Sequence, residues 1–302
     1  MSFWKTRSSV GGWVGIGLIV LVLVTMGMLV ALLVSSPINL LSFCLGLLAL
    51  ASAVVLIVFA YWTYGYYTLY YTLDRDALRI RWTGFETTVP ISDIQGVIEG
   101  KTDKGDTWLP FLRWPGYCIG RGRVRDIGEV MYYTVGPNNH QLLILTDTVS
   151  YVISPEDPEG FQQALELRQA LGRVHEVEAQ VTASRFLGLP FWSDGLVHRL
   201  GGVALVLNLG LLAYLCAIHP NLATVLPVHF DALDQVDRIA PAITVFFLPA
   251  IGALSLFLNG LFGFLIHSRH RLATMLLWAG TSAVQIHLWV ATLGITFHRV
   301  GT

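Results

Sequence analysis

The side chains best suited to chemistry in this sequence gather in two places. Between residues 218 and 240 stand His219, His229, Asp231, Asp234 and Asp237, and imidazole beside carboxylate is the donor set of a divalent-metal site or a pH sensor. Their spacing matches no zinc signature, and a wet loop needs polar residues whatever its role. His229, Asp231, Asp234 and Asp237 are therefore read as a candidate contact surface, with no metal assigned. The second group is cationic: Arg79 and Arg81 stand two apart, as do Arg121, Arg123 and Arg125. Alternate residues of a strand share a face, so each set forms a stripe able to take a phosphate, a lipid headgroup or a partner's carboxylates. Solvated arginines explain the same pattern without any ligand.

The remaining titratable groups carry less. His267 and His270 have an i, i+3 spacing that approximates a ligand pair, but beside Arg269 and Arg271 they also read as an ordinary basic loop. His287 lies inside an apolar run, where an ionisable residue is a functional flag. A neutral imidazole bonded through Gln285 or Thr281 is favoured there over a proton relay. Cys44, Cys118 and Cys216 show no metal or redox spacing and read as three unpaired thiols. The chain has no GxSxG, HExxH, P-loop or GxGxxG. No catalytic residue and no cofactor is assigned, and the expectation is a protein that is not an enzyme.

What must position these residues follows from where the charges fall. Of 19 Lys+Arg and 20 Asp+Glu, 29 lie between residues 74 and 194, as 12 basic and 17 acidic side chains. The other ten are spread over long apolar stretches, which excludes a single soluble globule, a disordered chain and a nucleic-acid binder. A span needs about 20 apolar residues, and the uncharged gaps hold five: near 11–34, 38–62, 199–217, 241–266 and 272–294. The turn Ser35-Ser36-Pro37-Ile38-Asn39 separates the first two. Lys5, Arg7, Arg199, Arg269 and Arg271 fall on one side if the spans alternate. That predicts a multi-pass membrane protein with its N-terminus on the cytoplasmic side, its C-terminus outside and the 218–240 loop exofacial. Tyr61, Trp62, Tyr64, Tyr66 and Tyr67 form an expected interfacial belt at the end of the second span.

Between about 67 and 175 the period becomes two. Leu69, Tyr71 and Leu73 alternate up to the turn at Asp74-Arg75-Asp76, and Leu78, Ile80 and Trp82 alternate with Arg79 and Arg81. Further strands are predicted at 85–90, 94–100, 117–124, 128–135, 141–146 and 149–153. Asp157 and Pro158 then start a helix that Gly172 ends. This run of short strands followed by one helix suggests a small barrel plugged by a helix. Three segments, Tyr71-Thr72-Leu73-Asp74-Arg75-Asp76-Ala77-Leu78-Arg79-Ile80, Val89-Pro90-Ile91-Ser92-Asp93-Ile94 and Tyr151-Val152-Ile153-Ser154-Pro155 followed by Phe161, resemble bacterial pleckstrin-homology-like domains. The resemblance implies that fold and an association with membranes; it does not imply phosphoinositide binding. The net charge of −5 over 74–194 opposes general attraction to an anionic leaflet.

Leu226-Pro227-Val228-His229-Phe230-Asp231-Ala232-Leu233-Asp234-Gln235-Val236-Asp237-Arg238, with Pro241 and Pro249 after it, resembles a membrane domain of unknown function. That domain also occurs in bacteriocin-immunity membrane proteins of the sporulation-delay type. Its pattern has glycine where this chain has Asp234. The expected fold is thus an α-helical transmembrane protein with an inserted α+β pleckstrin-homology-like β-barrel. Its parts are a two-helix hairpin (1–66), a cytoplasmic domain (67–175), an interfacial linker (176–198) and a three-helix module (199–302). The expected function is binding, as a scaffold, accessory subunit, or signalling or immunity factor, with the lipid bilayer and other membrane proteins as partners. The alternative is a component of a transporter or channel, to which Gly15, Gly17, Gly252 and Gly260 would contribute close helix packing and Pro249 a helix break.

Overall fold

A computed structural model describes residues 2–6, 10–99, 112–114, 116–124, 127–136, 141–172, 175, 177–183, 189–230 and 236–297. The chain forms two compact units, residues 1–26 with 51–187, and residues 27–50 with 188–302. Among the described residues five helical stretches are long and apolar enough to cross a membrane: Gly11–Ser35, Leu40–Thr68, Gly195–Asn221, Ala242–Ile266 and Arg271–Phe297. The corresponding α-helices are α1 (Gly11–Ser35), α2 (Leu40–Thr68), α4 (Gly195–Ile218), α5 (Phe247–Ile266) and α6 (Arg271–Phe297). Between α1 and α2 the polar turn closes on itself. Asn39 Oδ1 accepts from the Ser42 amide at 2.9 Å while Ser42 Oγ accepts from the Asn39 amide at 3.0 Å, a reciprocal cap that starts α2.

The first unit is built on strand alternation. β1 (Ser2–Lys5), β2 (Tyr70–Leu73), β3 (Ala77–Trp82), β4 (Phe85–Pro90) and β11 (Gln180–Ala183) form one antiparallel sheet in the order β1-β2-β3-β4-β11. Leu78, Ile80 and Trp82 of β3 turn inward and Arg79 and Arg81 outward. The second sheet runs β5-β9-β10-β8-β7-β6, with β5 (Ile94–Glu99), β6 (Leu112–Trp114), β7 (Tyr117–Val124), β8 (Gly128–Val135), β9 (Leu142–Thr146) and β10 (Ser150–Ile153). β8 and β10 pair in parallel, the other neighbours antiparallel. α3 (Pro158–Leu171) lays Phe161 and Leu165, both fully buried, on the shared core. It starts where Asp157 accepts from the Gly160 amide and stops at Gly172, whose φ of 72° favours glycine.

Two expectations need correcting here. The strands do not close into a barrel, because β1 takes the free edge of β2 and β11 the free edge of β4, ending the first sheet on both sides. Buried phenols bridge the two sheets instead. Tyr71 Oη of β2 donates to the Tyr133 carbonyl of β8 at 2.7 Å, Tyr133 Oη lies 3.0 Å from Thr87 Oγ1 of β4, and Trp82 Nε1 of β3 donates to Tyr117 Oη of β7 at 2.5 Å. The aromatic belt is also divided. Tyr61, Tyr64 and Tyr67 are exposed, but Tyr66 is buried in the domain core, edge-on to Tyr117 at 5.6 Å. That packing carries α2 six residues beyond the expected end at 62, so the β-domain sits directly on the helix.

β1 lies outside the expected 67–175 domain, as does β11. Ser2 to Lys5 pair residue for residue with Leu73 to Tyr70, Trp4 meets Phe161 edge-on at 5.6 Å, and the Lys5 carbonyl accepts from the Glu156 amide. A Cβ on Gly15 of α1 would lie 2.5 Å from Thr63 Oγ1 of α2, so the start of one helix lies tightly against the end of the other.

In the second unit α4, α5 and α6 enclose polar side chains that bond one another. Asn208 Nδ2 of α4 donates to the Pro249 carbonyl at 3.0 Å and to Gln285 Oε1 of α6 at 3.1 Å, while Gln285 Nε2 donates to the Gly252 carbonyl of α5 at 2.9 Å. Asn259 donates to Thr281 at 2.8 Å and Thr274 to the Gly263 carbonyl at 3.0 Å. Lipid offers helices little hydrophobic reason to associate, and small residues with such bonds supply it. Pro249 falls in the first turn of α5 and breaks no helix. The expected loop at 218–240 is largely a hairpin of β12 (Val225–Phe230) and β13 (Val236–Pro241), rooted by Leu226 against Leu215, Ala242 and Val245.

Candidate functional site

The arginine stripes separate into two chemically different pairs. Arg79 and Arg81 lie on the outward face of the first sheet, and both reach Glu86 on the neighbouring strand, Arg79 Nη1 at 3.3 Å from Oε1 and Arg81 Nε on Oε2. Arg81 also donates to Tyr70 Oη at 2.9 Å. Glu86 and the Tyr70 hydroxyl hold the Arg81 guanidinium pKa above its ordinary value, the phenol contact being the larger cause. This pair is occupied.

Arg121 and Arg123 belong to β7 in the second sheet. Both are exposed, and their positions share parity with Tyr117 and Ile119, which enter the core. The two arginines therefore continue an inward-facing row past the edge of the apolar packing. Opposite them in register stand Met131 and Glu129 of β8. Among the described residues no carboxylate comes within 4.0 Å of either guanidinium. The field of Arg121 nonetheless reaches the phenols of Tyr133 and Tyr151, where it opposes the rise in pKa that burial imposes. Arg125 lies outside the described residues.

Of the 218–240 residues, His229 falls in β12 opposite Arg238, Asp237 is exposed in β13, and Asp231 and Asp234 lie outside the described residues. Among the described residues no three His, Cys, Asp or Glu converge in a way that holds a metal. His287 does not meet its expected partners. It is exposed on α6 with Nδ1 2.8 Å from the Ala283 carbonyl of its own helix, while Gln285 and Thr281 bond to Asn208 and Asn259. Gly15 and Gly252 do sit at close approaches, but a Cβ on Gly17 would meet nothing within 4 Å.

One cluster escaped the sequence reading. Asp194 caps α4 by accepting from the amides of Leu196 and Val197. Its carboxylate is gripped by Arg271 at the start of α6, with Nε 2.5 Å from Oδ2 and Nη2 3.2 Å from Oδ1. His267, buried at the end of α5, places Nε2 3.6 Å from the same carboxylate. The Arg271 guanidinium, aided by the two amides, holds the Asp194 carboxyl well below the usual carboxylate range. The available signal was Asp194-Gly195 before an apolar run, a cap motif; the loop 267–271 explained itself as basic and hid the pairing. The cluster joins three helix ends, and the contacts it makes are those of a clamp.

No curated protein and no solved structure matches the chain. The segment 69–169, which runs from the end of α2 through nearly all of α3 and contains the arginines of both stripes, matches the family model described as the bacterial PH domain; this part of the chain is similar to such domains in sequence, and it is set between helices apolar enough to cross a membrane.

Proposed function

We propose that this protein is a non-enzymatic, membrane-anchored binding protein, a scaffold or accessory subunit of a membrane complex, whose PH-like domain presents Arg121 and Arg123 to an acidic segment of a partner protein. The observation that carries the reading is the contrast between the two arginine pairs. Arg79 and Arg81 share Glu86, whereas Arg121 and Arg123 are exposed with no carboxylate at ion-pair distance among the described residues. Guanidiniums two residues apart on one strand, with no such partner among the described residues, suit carboxylates arriving from outside. The domain's acidic surroundings favour a local, shaped contact over diffuse attraction to an anionic leaflet.

The domain is placed in the cytoplasm of a bacterial cell, with the 225–241 hairpin outside. A signalling or immunity role is a narrower form of the same reading, motivated by the resemblance of 200–260 to a membrane domain that also occurs in immunity membrane proteins. The polar groups within α4–α6 are bonded to one another, which favours a fixed bundle over the conduction path that a transporter subunit requires.

The test is co-purification of the full chain from its native membranes in mild detergent, followed by identification of bound proteins. Arg121→Glu/Arg123→Glu is expected to lose the partner while Arg79→Gln keeps it. Isolation as a lone monomer, or equal capture by both variants, overturns the proposal.

A further inference from the structure

Asn208, Gln285, Asn259 and Thr281 bond one another across the helices of the second unit. His287 does not join them. It stands exposed on the 27-residue helix α6, three residues past the middle residue Val284. At 1.5 Å per residue that is about 4.5 Å from the centre of the span, well inside a hydrocarbon half-thickness of about 15 Å. The roles of its two ring nitrogens are fixed. Nδ1 lies 2.8 Å from the Ala283 carbonyl, and a carbonyl only accepts, so in the neutral ring Nδ1 carries the proton and Nε2 is an acceptor. Among the described residues Nε2 meets no donor.

The surface around this ring allows close approach. Gly280, His287 and Gly294 stand seven residues apart, about two turns of helix, and all three are exposed, as are Ala283 and Ala291 between them. A Cβ added at Gly280 or Gly294 would meet nothing within 4 Å. The buried Thr274, Thr281, Gln285 and Thr292 occupy a different face, the one with which α6 packs on α4 and α5. Small residues let a second helix backbone come near, and an ionisable side chain at this depth ordinarily faces protein.

What can cover the face depends on what it offers Nε2. Acyl chains carry no donor, and water and lipid headgroups lie outside the hydrocarbon. A second copy packed on the same face through a two-fold axis sets acceptor against acceptor, and Gly280, Ala283, Ala291 and Gly294 bring no side-chain donor of their own. We infer that this face of α6 docks a transmembrane helix of another protein, one that presents a hydroxyl, amide or indole donor to His287 Nε2. The face belongs to the second unit and the arginines to the first, so the inference stands or falls separately from the acidic partner proposed for Arg121 and Arg123.

The full chain is made with p-benzoylphenylalanine in place of Ala291, irradiated in its native membranes, and its adducts are analysed by mass spectrometry. The expected product is an adduct to another membrane protein, with the linked peptide inside an apolar helix that carries a Ser, Thr, Tyr, Asn, Gln or Trp. Its yield should fall at least tenfold in His287→Leu and in Gly280→Leu, and persist in His287→Gln, whose amide oxygen restores an acceptor. The same photoreactive residue in place of Phe257, exposed on α5, is expected not to give this adduct. A product of twice the chain's mass, links to lipid alone, no adduct, or a yield unchanged in His287→Leu or Gly280→Leu overturns the inference. The hydrogen bond of the His287 ring stays within its own helix, so His287→Leu is expected to leave the unfolding midpoint in detergent where it was; a large fall would assign the ring to folding and overturn the inference as well.

Discussion

Tyr71 shows how much a single side chain holds in the β-domain. It is fully buried, donates to the Tyr133 carbonyl, accepts from the Ser154 amide at 3.1 Å, and so bridges two sheets that share no ladder. Tyr71→Phe keeps the ring and removes both of these buried hydrogen bonds, at about 0.5–1.5 kcal/mol each. Chemical unfolding at pH 7 is expected to show that loss, and an unchanged midpoint would remove the bridging role. Burial pushes the Tyr71 phenol up to about 12 from 10.0. The unfolded chain releases this proton first, so the contribution is complete below pH 10 and lost as pH rises toward 12. Tyr117 and Tyr133 are raised by burial too. In Tyr71→Phe the alkaline loss of stability should therefore become shallower by one proton rather than vanish, as stability measured in steps from pH 9 to 12 would record.

Among the elements, helix packing in the second unit depends on Gly252. A Cβ at this position would lie 2.2 Å from Asn208 Nδ2 and 2.6 Å from Gln285 Oε1. Gly252→Ala thus pushes apart the Asn208–Gln285 network at the middle of α4, α5 and α6, with an overpacking cost of about 1–3 kcal/mol. Gly17→Ala, with open space around it, is expected to change stability by less than about 0.5 kcal/mol. Equal midpoints for the two variants in detergent unfolding would rule out the network as the bundle's lock. Much of this level was readable beforehand. The β3 alternation, the Asp157 cap and the Gly172 stop each rest on neighbours within a few residues, and they appear where local spacing put them. What was not readable needed distant partners. Ser2–Lys5 has no strand signature of its own and becomes β1 only because β2 offers an edge, and the pairing of Asn208 with Gln285 across 77 residues has no local trace. The candidate site divides the same way: the two-residue spacing showed both arginine stripes, but only the fold brings Glu86 against Arg79 and Arg81 and leaves Arg121 and Arg123 exposed.

For the molecule as a whole, two internal contacts constrain how the chain threads a bilayer. The β1–β2 ladder holds Lys5 beside Tyr70, so α1 and α2 together must leave the chain on the side where it began. The Asp194–Arg271 pair holds the first turn of α4 beside that of α6, so α4 and α5 together do the same. The proposed topology, in which α1–α2 and α4–α5 each cross and return, expects the 225–241 hairpin on one side and the short-loop bases Lys5, Arg199, Arg269 and Arg271 on the other, the bias of a cytoplasmic face. In a chain freed of Cys44, Cys118 and Cys216 by serine, single cysteines at the exposed positions Ser92, Asp237 and His270 report this directly. An impermeant maleimide applied to intact cells is expected to label Asp237→Cys alone, and inverted vesicles should label Ser92→Cys and His270→Cys. Labelling of Ser92→Cys and His270→Cys from opposite sides would break the even count of crossings between them. Protection of Asp237→Cys in cells, with Ser92→Cys accessible, would instead reverse the orientation while leaving both internal contacts intact.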